Sequence, residues 1–125
     1  MSNKIKFNGS PNPTIGLELE LFTADRESHA LTNGAPKILN HFKDNTFFKE
    51  ELLQCIVEIT TDVCNNVNDV HEDLRPKLDM AIEYANNQGI DLLSMPIHPF
   101  SRVSDQKVTD NKRYPQFLDR MQWPL

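Results

Sequence analysis

The stretch TIGLELELF, residues 14–22, constrains this chain more than any other, because it alternates with a period of two. Ile15, Leu17, Leu19 and Leu21 fall on one side, and Gly16, Glu18, Glu20 and Phe22 on the other. A segment patterned this way is a half-buried strand, and it needs a sheet with one covered face. It also sets Glu18 and Glu20 on one face, with side chains roughly 6–7 Å apart. That spacing serves either a solvated antiparallel face or a pair of oxygen donors for one or two Mg²⁺ ions.

The rest of the chain supplies partners for that strand. A leader over residues 1–13 ends in Pro11 and Pro13, which cannot donate to a sheet interior. A single domain is expected over residues 14–125, a length compatible with one core. Residues 23–36 read as a turn with a short hairpin arm at Ala30 and Leu31, after which Pro36 opens a short helix striped by Ile38, Leu39 and Phe42. ELLQCIVEITTDV is rich in β-branched residues and free of Gly and Pro, so a second strand is expected over residues 52–61. Asn66 and Asp69 form an N-cap box for the longest helix, carried by Val67, Val70, Leu74, Leu78, Ala81, Ile82 and Ala85 as far as Gly89. Pro76 lies inside it and should bend it. A third strand is expected over residues 90–100, its end punctuated by Pro96 and Pro99, which implies an edge or an abrupt exit into a loop. A polar loop leads to a last helix around Phe117, Leu118 and Met121. The order β-α-β-α-β-α describes an α/β chain whose sheet is parallel or mixed.

Several side chains stand out chemically. Glu58 is an acid among Cys55, Ile56, Val57 and Ile59; burial without a partner would be costly, and a second strand beside the first lets it complete a cluster with Glu18 and Glu20. Glu51 lies on the opposite parity and joins only if the start of that strand is irregular. His98 sits between two prolines at a strand end, where side chains line clefts. Arg113 and Tyr114 follow a polar loop, and an Arg can hold a carboxylate or phosphate by a two-pronged hydrogen bond. Each also has a plain structural explanation. A formal net charge of −5 with no basic stripe argues against nucleic acid. No run is long and apolar enough for a membrane, and no export signal is visible, so a cytoplasmic location is expected. Cys55 and Cys64 match no zinc spacing and read as small buried hydrophobes.

Taken in order, TIGLELELF, ELLQCIVEITTDVC, SMPIHPF, DQKVTDNKRY and MQW resemble the N-terminal third of the glutamate–cysteine ligase type 2 family, the ATP-dependent carboxylate-amine ligases. The sequence departs from the family pattern at Gln54, Ile56 and Pro76. The resemblance implies a glutamine-synthetase-like α/β fold with an antiparallel-rich sheet packed by helices, and ATP and Mg²⁺ as cofactors. It implies glutamate and cysteine as small-molecule substrates, joined through an acyl phosphate. Glu18, Glu20 and Glu58 correspond to metal and nucleotide positions, and His98, Arg113 and Tyr114 to the catalytic, substrate side. Family enzymes are roughly three times this long, so the resemblance also implies a fragment or truncated relative, and it leaves open whether such a piece is active alone. The alternative is a non-catalytic binding or interaction module that self-associates or pairs with a complementing chain. A third reading is an acid-bearing α/β domain without nucleotide function.

Overall fold

The computed structural model describes residue 9 and residues 11–121. Most of the expected leader, and Trp123 of the last motif, lie outside the described residues. Four strands, β1 (Glu18–Asp25), β2 (Phe48–Glu50), β3 (Ile56–Thr60) and β4 (Ile90–Leu93), form one sheet in the order β2-β3-β1-β4. Every pairing is antiparallel, so the parallel option is set aside. The helices are α1 (Ala35–His41), α2 (Val67–Asn87) and α3 (Arg113–Met121).

β1 begins at Glu18 rather than at residue 14, and Ile15 is exposed, but from Leu19 to Leu21 the alternation does what its pattern predicts. Leu19 and Leu21 pair with Ile59 and Val57, and this face packs against α1 and α2 through Ile38, Ala81 and Ala85. Ile38, Val57 and Ile59 are fully buried, and each side chain of this kind removed from water stabilises the fold by about 1.5–3 kcal/mol. The strand runs three residues past Phe22, because Thr23 and Ala24 pair with β4. The arm at Leu31 is present as an isolated bridge to Ala24.

α2 is capped as expected. The Asn66 side-chain oxygen accepts the Asp69 N–H at 3.1 Å, and the Asn66 amide donates to the Asp69 carboxylate at 2.9 Å. Gly89, with φ of 70°, follows its C-terminus in a conformation that any side chain would strain. Pro76 sits within α2 without ending it. The buried stripe includes a residue the hydrophobic pattern passes over: Lys77, whose ammonium donates to Asp73 at 2.6 Å and to the Thr60 carbonyl at 3.2 Å. Its aliphatic stem covers apolar surface while its head is paired. Val67 and Ile82, placed on that stripe by periodicity, are exposed.

The expected strand over residues 52–61 is corrected. Only residues 56–60 are strand; residues 51–55 form a turn, and a separate strand, β2, precedes it. The turn carries no Gly or Pro to announce it and is held from outside. The Gln54 N–H donates to the Lys107 carbonyl at 2.8 Å, the Thr109 N–H to the Leu52 carbonyl at 2.9 Å, and the Thr109 hydroxyl to the Glu51 carbonyl at 2.6 Å. Cys55 and Cys64 are buried free thiols, as expected. Among the described residues no helix is long and apolar enough to cross a membrane.

Candidate functional site

The sheet face opposite the helices carries the acids. In register, Glu20 on β1 lies directly across from Glu58 on β3, and Glu58 lies directly across from Lys49 on β2. Opposed residues of an antiparallel pair share a face, with Cβ atoms about 4.5–5.5 Å apart. Glu18, two residues before Glu20, therefore shares the face of Glu58, which points toward the β1 acids. Pairing with Glu58 is favourable for Lys49 and unfavourable for Glu20, since like charges directly opposed destabilise a sheet.

Glu51 meets the condition set for it. Because residues 51–55 leave strand geometry, its carboxylate reaches the face from which strict alternation would exclude it. Carboxylate oxygens of Glu20, Glu51 and Glu58 lie within 4.8 Å of one another. Glu18 stands outside this trio but lines the adjoining cavity of about 600 Å³, together with Lys49, Glu50, Glu51, Glu58, Asn111, Arg113 and Tyr114. Arg113 and Tyr114 arrive there because the 107–109 segment is tied to the 51–54 turn. Asn111 adds a second tie: its amide donates to the Glu50 carboxylate, and its side-chain oxygen accepts the Arg113 N–H at 3.0 Å where α3 begins.

The electrostatics are those of a site short of positive charge. Burial pushes the Glu58 carboxyl above its ordinary value, the Glu18 and Glu51 charges push the same way, and the Lys49 ammonium at 3.6 Å offsets them in part. Tyr114 is raised by burial, partly countered by the Arg113 guanidinium, which donates to its hydroxyl at 3.1 Å. Three converging carboxylates are a hard, all-oxygen donor set of the kind Mg²⁺ takes. Oxygens around one such ion lie about 3–4 Å apart, so a small inward rotation of the side chains brings all three within reach of a single ion. The residues present fit a divalent cation.

His98 stands apart from this cavity. It is buried, its Nδ1 accepts the Ser101 N–H at 3.1 Å, and its Nε2 is 3.0 Å from the His29 carbonyl. A ring that accepts at Nδ1 carries its proton at Nε2, which donates to His29. The imidazole thus pins the loop after β4 to the turn after β1. Of the seven side chains singled out from the sequence, the fold brings Glu18, Glu51, Glu58, Arg113 and Tyr114 to one cavity, with Glu20 beside it. Lys49, Glu50 and Asn111 were not anticipated. Lys49 and Glu50 belong to a strand that no periodicity marks, and Asn111 works through a tertiary contact.

The Glutamate-cysteine ligase family 2 (GCS2) model matches residues 14–125. A "Putative glutamate–cysteine ligase 2" of Mycobacterium ulcerans is 36% identical over 122 residues, covering 98% of this chain and 31% of the relative. The same description applies to relatives in Mycobacterium bovis and Mycobacterium tuberculosis, each 36% identical over 120 residues, 96% of this chain and 32% of theirs. The chain thus spans about a third of the length of these curated relatives. No solved structure matches it. With its acids gathered on one sheet face and the family model matched from residue 14 to residue 125, this chain belongs to glutamate-cysteine ligase family 2.

Proposed function

We propose that the carboxylate face forms part of the Mg²⁺-ATP site of a ligase that joins a carboxylic acid to an amine, with glutamate and cysteine as the substrate pair. The observation that carries this reading is the convergence of Glu20, Glu51 and Glu58 within 4.8 Å on the open sheet face. A structural sheet has no use for such an arrangement, because it places like charges opposite one another and buries one of them. Glu18, Glu20 and Glu58 are the proposed cation ligands, with Glu51 added by the geometry. A divalent ion held there would neutralise phosphate charge during phosphoryl transfer. In that transfer a substrate carboxylate oxygen attacks the terminal phosphorus as ADP leaves, and the amine nitrogen then attacks the acyl carbon as phosphate leaves.

This chain's own residues orient the reactants. Arg113 has two-pronged donor geometry suited to a carboxylate or phosphate; Asn111, which accepts its backbone N–H, and the Tyr114 hydroxyl, which accepts from its guanidinium, hold it at the cavity. His98 is proposed to act at a distance, by fixing the loop after β4. Free Cys55 and Cys64 suit the reducing cytoplasm proposed as the location. A second reading, a docking module that self-associates or pairs with a complementing chain, is favoured by the exposure of Ile97, Phe100, Phe117 and Met121.

Titration calorimetry of the chain with Mg²⁺ and then Mg²⁺-ATP, beside a Glu20→Gln/Glu58→Gln variant, tests the first reading. Metal-dependent heat in the wild type that disappears in the variant supports it. Absence of metal-dependent heat, or equal heat in both proteins, refutes it. Sedimentation tests the second reading, which a monomer at all concentrations would count against.

A further inference from the structure

We infer that Lys49 is the resident counter-ion of the carboxylate site: its ammonium holds the site's charge in the metal-free protein and is displaced when a divalent cation enters. The inference rests on the site reading above and adds to it a residue that sets cation affinity. Three observations carry it. Lys49 is in direct cross-strand register with Glu58, and its nitrogen lies 3.6 Å from a Glu58 oxygen. That separation makes an ion pair but not a tight hydrogen bond, so the ammonium can leave without breaking a short directional contact. Lys49 is on the edge strand and its side chain is half exposed, whereas the Glu58 side chain is 10% exposed. The lysine has somewhere to go and the acid does not.

The charge balance points the same way. The trio carries three negative charges and Lys49 returns only one, so the metal-free site keeps a net negative charge that draws in a divalent cation, and that cation supplies twice the charge of the ammonium it replaces. Among the described residues Lys49 is the one basic side chain within ion-pair distance of the trio, while Arg113, the other cation lining the cavity, makes no ion pair with it and turns one guanidinium nitrogen to the Tyr114 hydroxyl. Once displaced, the Lys49 ammonium remains beside that cavity, on the same side as Asn111 and Arg113. It then adds positive charge where an anionic ligand would lie.

The test titrates Mg²⁺ alone into the wild type, Lys49→Met and Lys49→Arg by calorimetry, with thermal melts of each in chelator. A monovalent charge removed from beside a divalent ion should raise affinity about tenfold. Lys49→Met should therefore bind Mg²⁺ about tenfold more tightly than wild type, melt lower without metal, and recover when Mg²⁺ is added. Lys49→Arg should behave as wild type, which a role confined to edge-strand packing would not require. In the wild type itself, the Lys49 side-chain resonance in a ¹³C-lysine-labelled sample should shift on Mg²⁺ addition. Unchanged or weaker binding by folded Lys49→Met, or a Lys49 resonance indifferent to saturating Mg²⁺, overturns the inference while leaving the cation site standing. No Mg²⁺ binding by either protein overturns both.

Discussion

Replacing Glu58 by Gln should make the metal-free protein more stable, an unusual outcome for a polar substitution at a buried strand position. In the folded protein Glu58 faces the Glu20 and Glu51 carboxylates within 4.8 Å and the Lys49 ammonium at 3.6 Å. With an effective dielectric constant of about 20, each like-charge pair costs at least about 3.5 kcal/mol, and the lysine returns about 4.6 kcal/mol. In bulk water the same terms fall to about 0.9 and about 1.2 kcal/mol. Removing the Glu58 charge deletes these two repulsions, the further one from Glu18, and one attraction. Counting Glu20, Glu51 and Lys49 alone, the net gain is about 0.6 kcal/mol at the water value and about 2.4 kcal/mol at the lower dielectric, or a melting-temperature rise of about 3–10 °C for a chain of this size.

The pH dependence has a definite sign. Glu58 is raised above its ordinary carboxylate value in the folded protein, so between the unfolded and folded values the native state binds the extra proton. Wild-type stability therefore falls as pH rises through that window. The advantage of Glu58→Gln should be full above it and absent below the unfolded value. Thermal melts in chelator at a series of pH values from pH 4 to pH 8 trace the growth of the difference, and added Mg²⁺ should stabilise wild type more than the variant. A variant that melts lower than wild type at pH 7 in chelator, or a difference indifferent to pH, would refute the electrostatic reasoning.

Three further outcomes are expected. Asp73 is held below the usual carboxylate range first by its hydrogen bond from Lys77, so its contribution is present above the unfolded value near 3.8 and lost as pH falls through the lowered one; Asp73→Asn should cost about 1–3 kcal/mol in urea denaturation at pH 7, with the difference closing in acid. His98→Ala strands the Ser101 N–H and the His29 carbonyl and should cost about 1–3 kcal/mol while leaving Mg²⁺ affinity unchanged, and a loss of affinity without loss of stability would return His98 to the site. A Cβ on Gly34 would sit 3.0 Å from Thr23 Cβ and 3.1 Å from Ile90 Cδ1, so Gly34→Ala should destabilise by about 1–3 kcal/mol, and a neutral result would mean that the β1–β4 junction yields easily.

Much of this protein is local in origin, and that part is written in the order of its residues. The two-residue period of Leu19, Glu20, Leu21 and Phe22 decides which face of β1 is apolar, because successive side chains of a strand must point to opposite sides. Asn66 and Asp69 mark where α2 starts, since their hydrogen bonds span only three residues. Glu58, too, is recognisable as an acid on an apolar strand, and its parity places it with Glu18 and Glu20 once the two strands pair. What tertiary structure alone decided lies where the chain is held by distant partners. Residues 51–55 have the composition of a strand, yet carbonyls of Glu51 and Leu52 accept from Thr109 and the Gln54 N–H donates to Lys107, so contacts more than fifty residues away turn the backbone there. That turn delivers Glu51 to the acid cluster, lets Lys49 fall opposite Glu58, and draws Asn111, Arg113 and Tyr114 to the same cavity. Lys77 and His98 follow the same rule: a buried charge and a buried imidazole are set by whichever backbone groups happen to face them, and no periodicity in the amino-acid order records which those are.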